Sequence, residues 1–232
     1  EKTGKTDYYS YEWGDTAKHY YRGAYLDCVR AVDFLKSQAK VDVNNIFAAG
    51  GSQGGCFTYV AAGLTGAFKA IAPSITGHAD FVDGMKIVNW PRANLLAATD
   101  KLGMTDEQMN TFNAYYDVMN FAEHVSCPCI TSFSLQDTTD PPHTNVAPFN
   151  LLKSVDEADK EYIINPFLGH GTASDWGTKY MDFFKRYIND NPPTTGINHA
   201  TLDKYHKDMV FYYTLMGTRT SKSTKGIFIH QG

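Results

Sequence analysis

The segment that best indicates the fold of this chain is Ile46-Phe47-Ala48-Ala49-Gly50-Gly51-Ser52-Gln53-Gly54-Gly55. Four apolar residues come first, and a serine then lies between glycines in the order G-x-S-x-G. Residues 56–64 continue with helical spacing. Small neighbours let the chain turn sharply from strand to helix, which lifts the serine hydroxyl above the edge of a sheet. The segment therefore predicts a nucleophilic Ser52, and the alternative is a glycine-rich turn capped by a serine.

Short apolar runs alternate with helical patterns along the rest of the chain. We predict strands at residues 46–49, 69–73, 129–135 and 161–165, and helices at 24–38, 56–64, 105–124, 146–157 and 178–188. The segment 78–104 reads as an irregular insertion. Strands that alternate with helices predict an α/β fold, with a parallel sheet and helices on both faces. We expect residues 1–190 to form this unit and residues 191–232 to be a tail outside the sheet, because Asn191-Pro192-Pro193 breaks the pattern.

A serine nucleophile needs a base and an acid that orients the base. In a sheet of this kind the acid precedes the histidine in the chain. Asp137 comes directly after the strand at 129–135, at the sheet edge where the nucleophile is expected. Asp140 precedes two prolines and has the character of a turn residue. We predict Asp137 as the acid, with Asp140 as the alternative.

The histidine should follow the next strand. His170 lies between two glycines just after the strand at 161–165, and such a loop can bring an imidazole over the sheet edge. His143, in a turn after two prolines, is the alternative. The order and context favour His170 as the catalytic base.

An oxyanion hole requires two hydrogen-bond donors, and the backbone N–H of Gln53 is expected to be one of them. No His-Gly loop precedes Ser52 to supply the second, and the chain has no room for the three or four strands that usually precede such a turn. We therefore expect a C-terminal part of a catalytic domain that lacks its early strands. A partner segment or a second copy of the chain could supply those strands.

Composition excludes several kinds of partner. The 232 residues carry a formal net charge of -4, which does not favour binding to nucleic acid or to an anionic membrane surface. No apolar run is long enough to span a membrane. No metal is expected, since none of the four cysteines has zinc-like spacing with a histidine pair, and Cys127 and Cys129 have the character of small apolar residues that enter a strand. No organic cofactor is implied either.

Several further motifs occur in a recognisable order: Tyr20-Tyr21-Arg22-Gly23, Leu26-Asp27-Cys28-Val29-Arg30-Ala31, Gly50–Gly55, Tyr116-Asp117-Val118-Met119-Asn120, Asp137 with Pro141-Pro142, and Gly169-His170. Together they resemble the acetyl xylan esterase and cephalosporin C deacetylase family, over about residues 19–188. The resemblance implies an α/β-hydrolase that removes acetyl groups from xylose-containing sugars or from cephalosporin C. It also implies that Ser52, Asp137 and His170 form the triad and that Gln53 supplies an oxyanion N–H.

Three residues are candidates for contact with an acetylated carbohydrate. Trp176 could stack on a sugar face, or it could pack the last helix onto the sheet. Pro141 and His143 could line the mouth of the pocket. In the tail, residues 213–217 and 225–229 resemble the sorting or anchoring segments of secreted bacterial proteins, which predicts a location outside the cytoplasm, in the periplasm or secreted.

Two other functions stay open. A serine peptidase of the prolyl oligopeptidase type shares the Gly-x-Ser-x-Gly-Gly turn and the order of the triad. An inactive fragment, or a binding subunit that reuses the fold, would fit the expected lack of early strands.

Overall fold

The computed structural model describes residues 7–87 and 90–188, and the backbone of two short strands, Tyr212–Tyr213 and Arg219–Thr220. These two strands pair antiparallel to each other. The rest of the expected tail at 191–232 lies outside the described residues. The location outside the cytoplasm, which rests on that tail, stays a prediction.

Within residues 7–87 and 90–188, the sheet has four parallel strands in the order of the chain: β1 (Phe47–Gly51), β2 (Ala70–Ser74), β3 (Cys129–Ser134) and β4 (Lys160–Asn165). All four strands predicted from the apolar runs are confirmed. Every residue of β2 and β3 is buried, as expected of strands that are covered on both faces. Because the strands are parallel, their carboxyl ends meet at one edge of the sheet.

In the described part of the chain, eight α-helices connect and cover these strands: α1 (Tyr20–Ser37), α2 (Gln53–Thr65), α3 (Phe81–Gly84), α4 (Arg92–Leu102), α5 (Asp106–Ala114), α6 (Val118–Ala122), α7 (Pro142–Asn150) and α8 (Trp176–Lys185). Among residues 7–87 and 90–188, none of them combines the length and the apolar character needed to cross a bilayer.

Helices lie on both faces of the sheet, as predicted. On one face, Ala48 belongs to a large apolar cluster that includes residues of α1, α2, α5, α6 and α7. On the other face, Phe47 and Ala49 pack in a smaller cluster with Phe183 and Phe184 of α8. The rings of Phe47 and Phe184 stack with their centroids 4.8 Å apart. Alternate residues of β1 thus fill two cores, one on each side of the sheet.

The prediction of an irregular insertion at 78–104 was wrong, because the segment contains α3 and α4. The buried face of α4 is formed by Arg92, Leu95 and Thr99, of which only Leu95 is apolar. Hydrophobic periodicity cannot reveal a helix whose buried face is mostly polar.

The helix predicted at 105–124 is two helices. Thr105 caps α5: its side chain accepts a hydrogen bond from the backbone N–H of Gln108, and the side-chain oxygen of Gln108 accepts one from the backbone N–H of Thr105. The chain then leaves the helix, and the carboxylate of Asp117 caps α6 by accepting from the N–H of Met119.

The helix α7 begins at Pro142 and ends at Asn150, earlier than the predicted range of 146–157. Proline fits the first position of a helix because its missing N–H has no acceptor there. The two prolines therefore start the helix, where the sequence pattern had indicated only a turn.

Candidate active site

Ser52 lies between β1 and α2 with backbone angles of φ 58° and ψ -123°. A positive φ is strained for a residue with a side chain, and it persists only where the surroundings hold it. Two backbone hydrogen bonds do so here: Ser52 N–H donates to the carbonyl of Ser74 at 2.9 Å, and Gly77 N–H donates to the carbonyl of Ser52 at 3.3 Å. The predicted sharp turn from strand to helix is confirmed.

Close approaches of the backbone explain two of the glycines around Ser52. A Cβ atom on Gly50 would lie 2.3 Å from the carbonyl oxygen of Gly54. A Cβ atom on Gly55 would lie 2.7 Å from Oγ1 of Thr76 and 2.9 Å from the carbonyl oxygen of Ser74. Gly54 itself faces open space. Gly50 and Gly55 are therefore the positions at which this turn cannot accept a side chain without moving the backbone.

The fold brings Ser52, His170 and Asp137 together at the carboxyl edge of the sheet. Nε2 of His170 lies 2.9 Å from Oγ of Ser52, and Nδ1 of His170 lies 2.8 Å from Oδ2 of Asp137. With the proton on Nδ1, the imidazole donates to the carboxylate and can accept the serine proton at Nε2. This arrangement can generate a serine nucleophile by general-base catalysis.

The carboxylate of Asp137 is fixed by its own loop. Its side chain is fully buried. Oδ1 accepts hydrogen bonds from the backbone N–H groups of Thr139 and Asp140, each at 2.9 Å, which leaves Oδ2 for His170. Two fixed donors on one oxygen orient the other toward the imidazole. Of the two candidate acids, Asp137 is the one within hydrogen-bond distance of His170 in this structure.

Asp140 is more than a turn residue, which corrects the interpretation from sequence. Its side chain is 8% exposed, and its Oδ2 accepts a hydrogen bond from Oγ of Ser52 at 3.2 Å. The guanidinium of Arg92 lies 3.9 Å from the other carboxylate oxygen. Burial raises the pKa of Asp140 from 3.8 to about 6, although the charges of His170 and Arg92 lower it in part. The site thus contains a second acidic side chain in contact with the nucleophile.

Gln53 is the first residue of α2, so its backbone N–H has no acceptor within the helix. Its side chain donates from Nε2 to the hydroxyl of Tyr21 at 3.0 Å, and that hydroxyl also lies 2.5 Å from Nε2 of His78. Burial lowers the pKa of His78 to about 3, which keeps the ring neutral and able to accept from Tyr21. Neither Tyr21 nor His78 had been predicted near the site, because no local sequence pattern connects residues so far apart.

The structure corrects two of the three candidates for substrate contact. Trp176 is 8% exposed and packs against Tyr180 in the smaller core cluster, so it attaches α8 to the sheet and offers almost no surface to a sugar. Pro141 is buried, and its carbonyl accepts from Thr144 at the start of α7. His143 is partly exposed on α7, and its Nε2 lies 3.9 Å from a carboxylate oxygen of Asp80. Only His143 therefore stays a candidate for the mouth of the pocket, and its neighbour is Asp80.

The cysteines form no disulfide in the described part of the chain, although Sγ of Cys56 lies within hydrogen-bond distance of the Tyr25 hydroxyl at 3.3 Å. All four are free, and Cys129 is the first residue of β3, as expected of a small apolar residue that enters a strand. Burial raises the pKa of Cys28 and of Cys127 to about 12, so both thiols stay protonated. Within 7–87 and 90–188, no cluster of three or more His, Cys, Asp or Glu side chains is arranged to hold a metal ion.

Comparison with known proteins identifies the family of the chain. Residues 13–187 match the family model described as acetyl xylan esterase (AXE1). The acetyl esterase Axe7A of Xylanibacter ruminicola is 34% identical over 177 residues, which cover 75% of this chain and 38% of that protein.

Two solved structures have the same fold. An acetyl xylan esterase from Paenibacillus sp. R4 is 32% identical with a TM-score of 0.69, and the match covers 75% of this chain and 55% of that one. Acetyl xylan esterase 1 from Thermoanaerobacterium sp. is 18% identical with a TM-score of 0.72, and the match covers 82% of this chain and 60% of that one. The α/β-hydrolase fold is confirmed, and the chain spans less than two thirds of the length of each of these relatives.

Proposed function

The chain belongs to the acetyl xylan esterase family, and we propose that it carries the catalytic residues of a serine esterase that removes acetyl groups from xylan-type carbohydrate esters. The observation that carries this proposal is the connected series from Ser52 through His170 to Asp137, with distances of 2.9 and 2.8 Å. Folding alone does not require these three side chains to meet at one edge of the sheet. The family match supplies the acetyl ester as the substrate class.

The reaction begins when Oγ of Ser52 attacks the carbonyl carbon of the acetyl ester. As the C–O bond forms, the serine proton moves to Nε2 of His170, and the carboxylate of Asp137 stabilises the resulting imidazolium. His170 then gives that proton to the oxygen of the departing sugar. Water, deprotonated by the same imidazole, releases acetate from Ser52 in a second cycle of the same steps.

Negative charge develops on the carbonyl oxygen during each cycle. The backbone N–H of Gln53 and the positive end of the α2 dipole are the groups that we propose to stabilise it. The bond from Gln53 Nε2 to Tyr21, and from there to His78, fixes the residue that carries this N–H. A donor fixed before the reaction needs no rearrangement when the charge appears.

The experiment is the substitution Ser52→Ala in the full-length protein, with release of acetate measured from acetylated xylo-oligosaccharide and from p-nitrophenyl acetate. We expect a loss of about 10⁴-fold or more in kcat, as for serine nucleophiles in general. Ser37→Ala, which removes a hydroxyl at the end of α1, is the matched control and should retain the wild-type rate. Retention of most of the activity by Ser52→Ala would exclude Ser52 as the nucleophile.

The same assay decides between the esterase and the alternatives from sequence. A peptidase would cleave a proline peptide anilide faster than the two acetyl esters. A binding subunit would release no acetate from acetylated xylo-oligosaccharide or from p-nitrophenyl acetate.

A further inference from the structure

The hydroxyl group of Ser52 has two acceptors within reach. Nε2 of His170 lies 2.9 Å from Oγ, and Oδ2 of Asp140 lies 3.2 Å from the same atom. A serine hydroxyl has one proton, so it can donate fully to only one of them. If the proton points to His170, the serine is ready to react. If it points to Asp140, the imidazole cannot take it.

The two acceptors are also close to each other. Oδ2 of Asp140 lies 3.9 Å from Nδ1 of His170, compared with 2.8 Å between that nitrogen and Oδ2 of Asp137. A negative charge at that distance stabilises the protonated imidazole. Asp140 therefore acts on both partners of the reacting pair.

The position of Asp140 is set by the structure around it. A Cβ atom on Gly77 would lie 2.9 Å from Oδ1 of Asp140, so the carboxylate occupies space that only a glycine leaves free. Asn145 holds the Asp140 backbone by donating from Nδ2 to its carbonyl at 3.3 Å. The side chain is thus built into the site.

The titratable and charged groups that face Asp140 come from several elements. Arg92 of α4 lies 3.9 Å away, and its guanidinium also donates to the carbonyl of Thr139 at 2.5 Å. Asp137 faces it from the same loop, His170 from the loop after β4, and Cys56 from α2. Burial raises the pKa of the Cys56 thiol well above its ordinary value, so this thiol carries no charge. Arg92 offsets part of the negative charge of the two carboxylates. Since burial raises the pKa of Asp140 to about 6, its charge changes close to neutral pH.

We propose that Asp140 is a second acidic residue of the reacting centre, which competes with His170 for the Ser52 hydroxyl and stabilises the protonated form of His170. Protonated Asp140 donates its own O–H to Oγ of Ser52, so the serine proton is left for His170. Ionised Asp140 accepts a hydrogen bond from the serine O–H and stabilises positive charge on the imidazole. The contacts carry this proposal, and its consequence for catalysis rests on the proposed function.

The first experiment needs no catalysis. The titration of His170 is followed by NMR on the full-length chain with ¹³C-labelled histidine, and its signal is identified by its loss in His170→Asn. We expect the midpoint in Asp140→Asn to lie about 1 pH unit below that of the wild type, because one adjacent negative charge is gone. Asp27→Asn removes the same charge from the exposed side of α1 and should leave the midpoint unchanged.

A midpoint that is the same in Asp140→Asn and in the wild type would overturn the proposal. If Asp140→Asn does not fold, Asp140→Ser provides the same test, because it also removes the charge and keeps a small polar side chain.

The second experiment uses the esterase reaction. The acid limb of the profile of kcat/KM against pH should move to lower pH in Asp140→Asn by the same amount as the NMR midpoint. A purely structural role would lower the rate without moving the limb, and that result would contradict the proposal. If the wild-type protein releases no acetate, the proposed function fails, while the NMR titration still decides the role of Asp140.

Discussion

Nδ1 of His170 lies 2.8 Å from Oδ2 of Asp137, although the two residues are 33 positions apart in the chain. The bond joins the loop after β3 to the loop after β4, which are adjacent because the two strands pair in parallel. Since the other oxygen of Asp137 is held by two backbone N–H groups, the carboxylate fixes both the orientation and the tautomer of the imidazole.

The substitution Asp137→Asn is therefore expected to be far more damaging than Asp140→Asn. An amide at position 137 favours the wrong tautomer of His170, which lowers kcat by about 10⁴-fold in comparable triads. Asp140→Asn keeps that tautomer, so we expect a loss below about 10-fold, since Asp140 adjusts a working base and does not orient it. Rates with p-nitrophenyl acetate at a fixed pH measure both variants. Equal and mild effects would mean that the orienting acid lies elsewhere.

The turn around Ser52 provides a prediction about backbone space. Gly50→Ala places a Cβ atom 2.3 Å from the carbonyl oxygen of Gly54, so the turn must shift, and we expect about 1–3 kcal/mol of destabilisation and a large loss of activity. Gly54→Ala meets nothing within 4 Å and is the matched control, which should be as stable as the wild type. Urea unfolding of both variants measures the difference. Equal stability of the two would show that the turn can relax around a side chain.

Arg92 and Asp140 should be coupled energetically. Arg92→Met leaves the buried carboxylate without its cation and removes the donor to Thr139, so we expect a loss of about 3 kcal/mol in unfolding free energy. The double variant Arg92→Met with Asp140→Asn should lose less than the sum of the single losses, because no unpaired charge remains. Additive losses in urea unfolding would show that the pair does not interact.

Asp140 should also give the protein a measurable pH dependence of stability. Its pKa is raised from 3.8 to about 6, so between these values the folded chain binds more protons than the unfolded chain. The contribution of Asp140 to the free energy of unfolding is therefore complete below pH 4 and falls as the pH rises toward 6. Asp140→Asn does not lose this contribution. Its free energy of unfolding should therefore rise by on the order of 2 kcal/mol relative to that of the wild type between pH 4 and pH 7. A difference between the two proteins that is constant with pH would contradict this assignment.

The sequence predicted the parts of the site that depend on local pattern. Ser52 follows β1 directly, and Asp137 and His170 come three and five residues after the ends of β3 and β4, so the order of the strands brings all three to one edge of the sheet. The confirmed strands begin and end within two residues of the predicted ranges.

The remaining features depend on contacts between distant segments. Arg92 reaches Asp140 from a helix with a polar buried face, and neither hydrophobic periodicity nor turn chemistry marks such a residue. Trp176 was a candidate for sugar binding because it comes six residues after His170 and its ring could stack on a sugar face. The helix begins at Trp176, which places the ring on its buried side.

The most direct measurement of the central claim locates the acetyl group on the protein during turnover. The full-length protein is mixed with p-nitrophenyl acetate, quenched in acid, digested, and examined by mass spectrometry. We expect one acetyl group on the peptide that contains Ser52, and none on that peptide in Ser52→Ala. Release of acetate with the acetyl group on another residue, or at an undiminished rate in Ser52→Ala, would show that Ser52 is not the nucleophile.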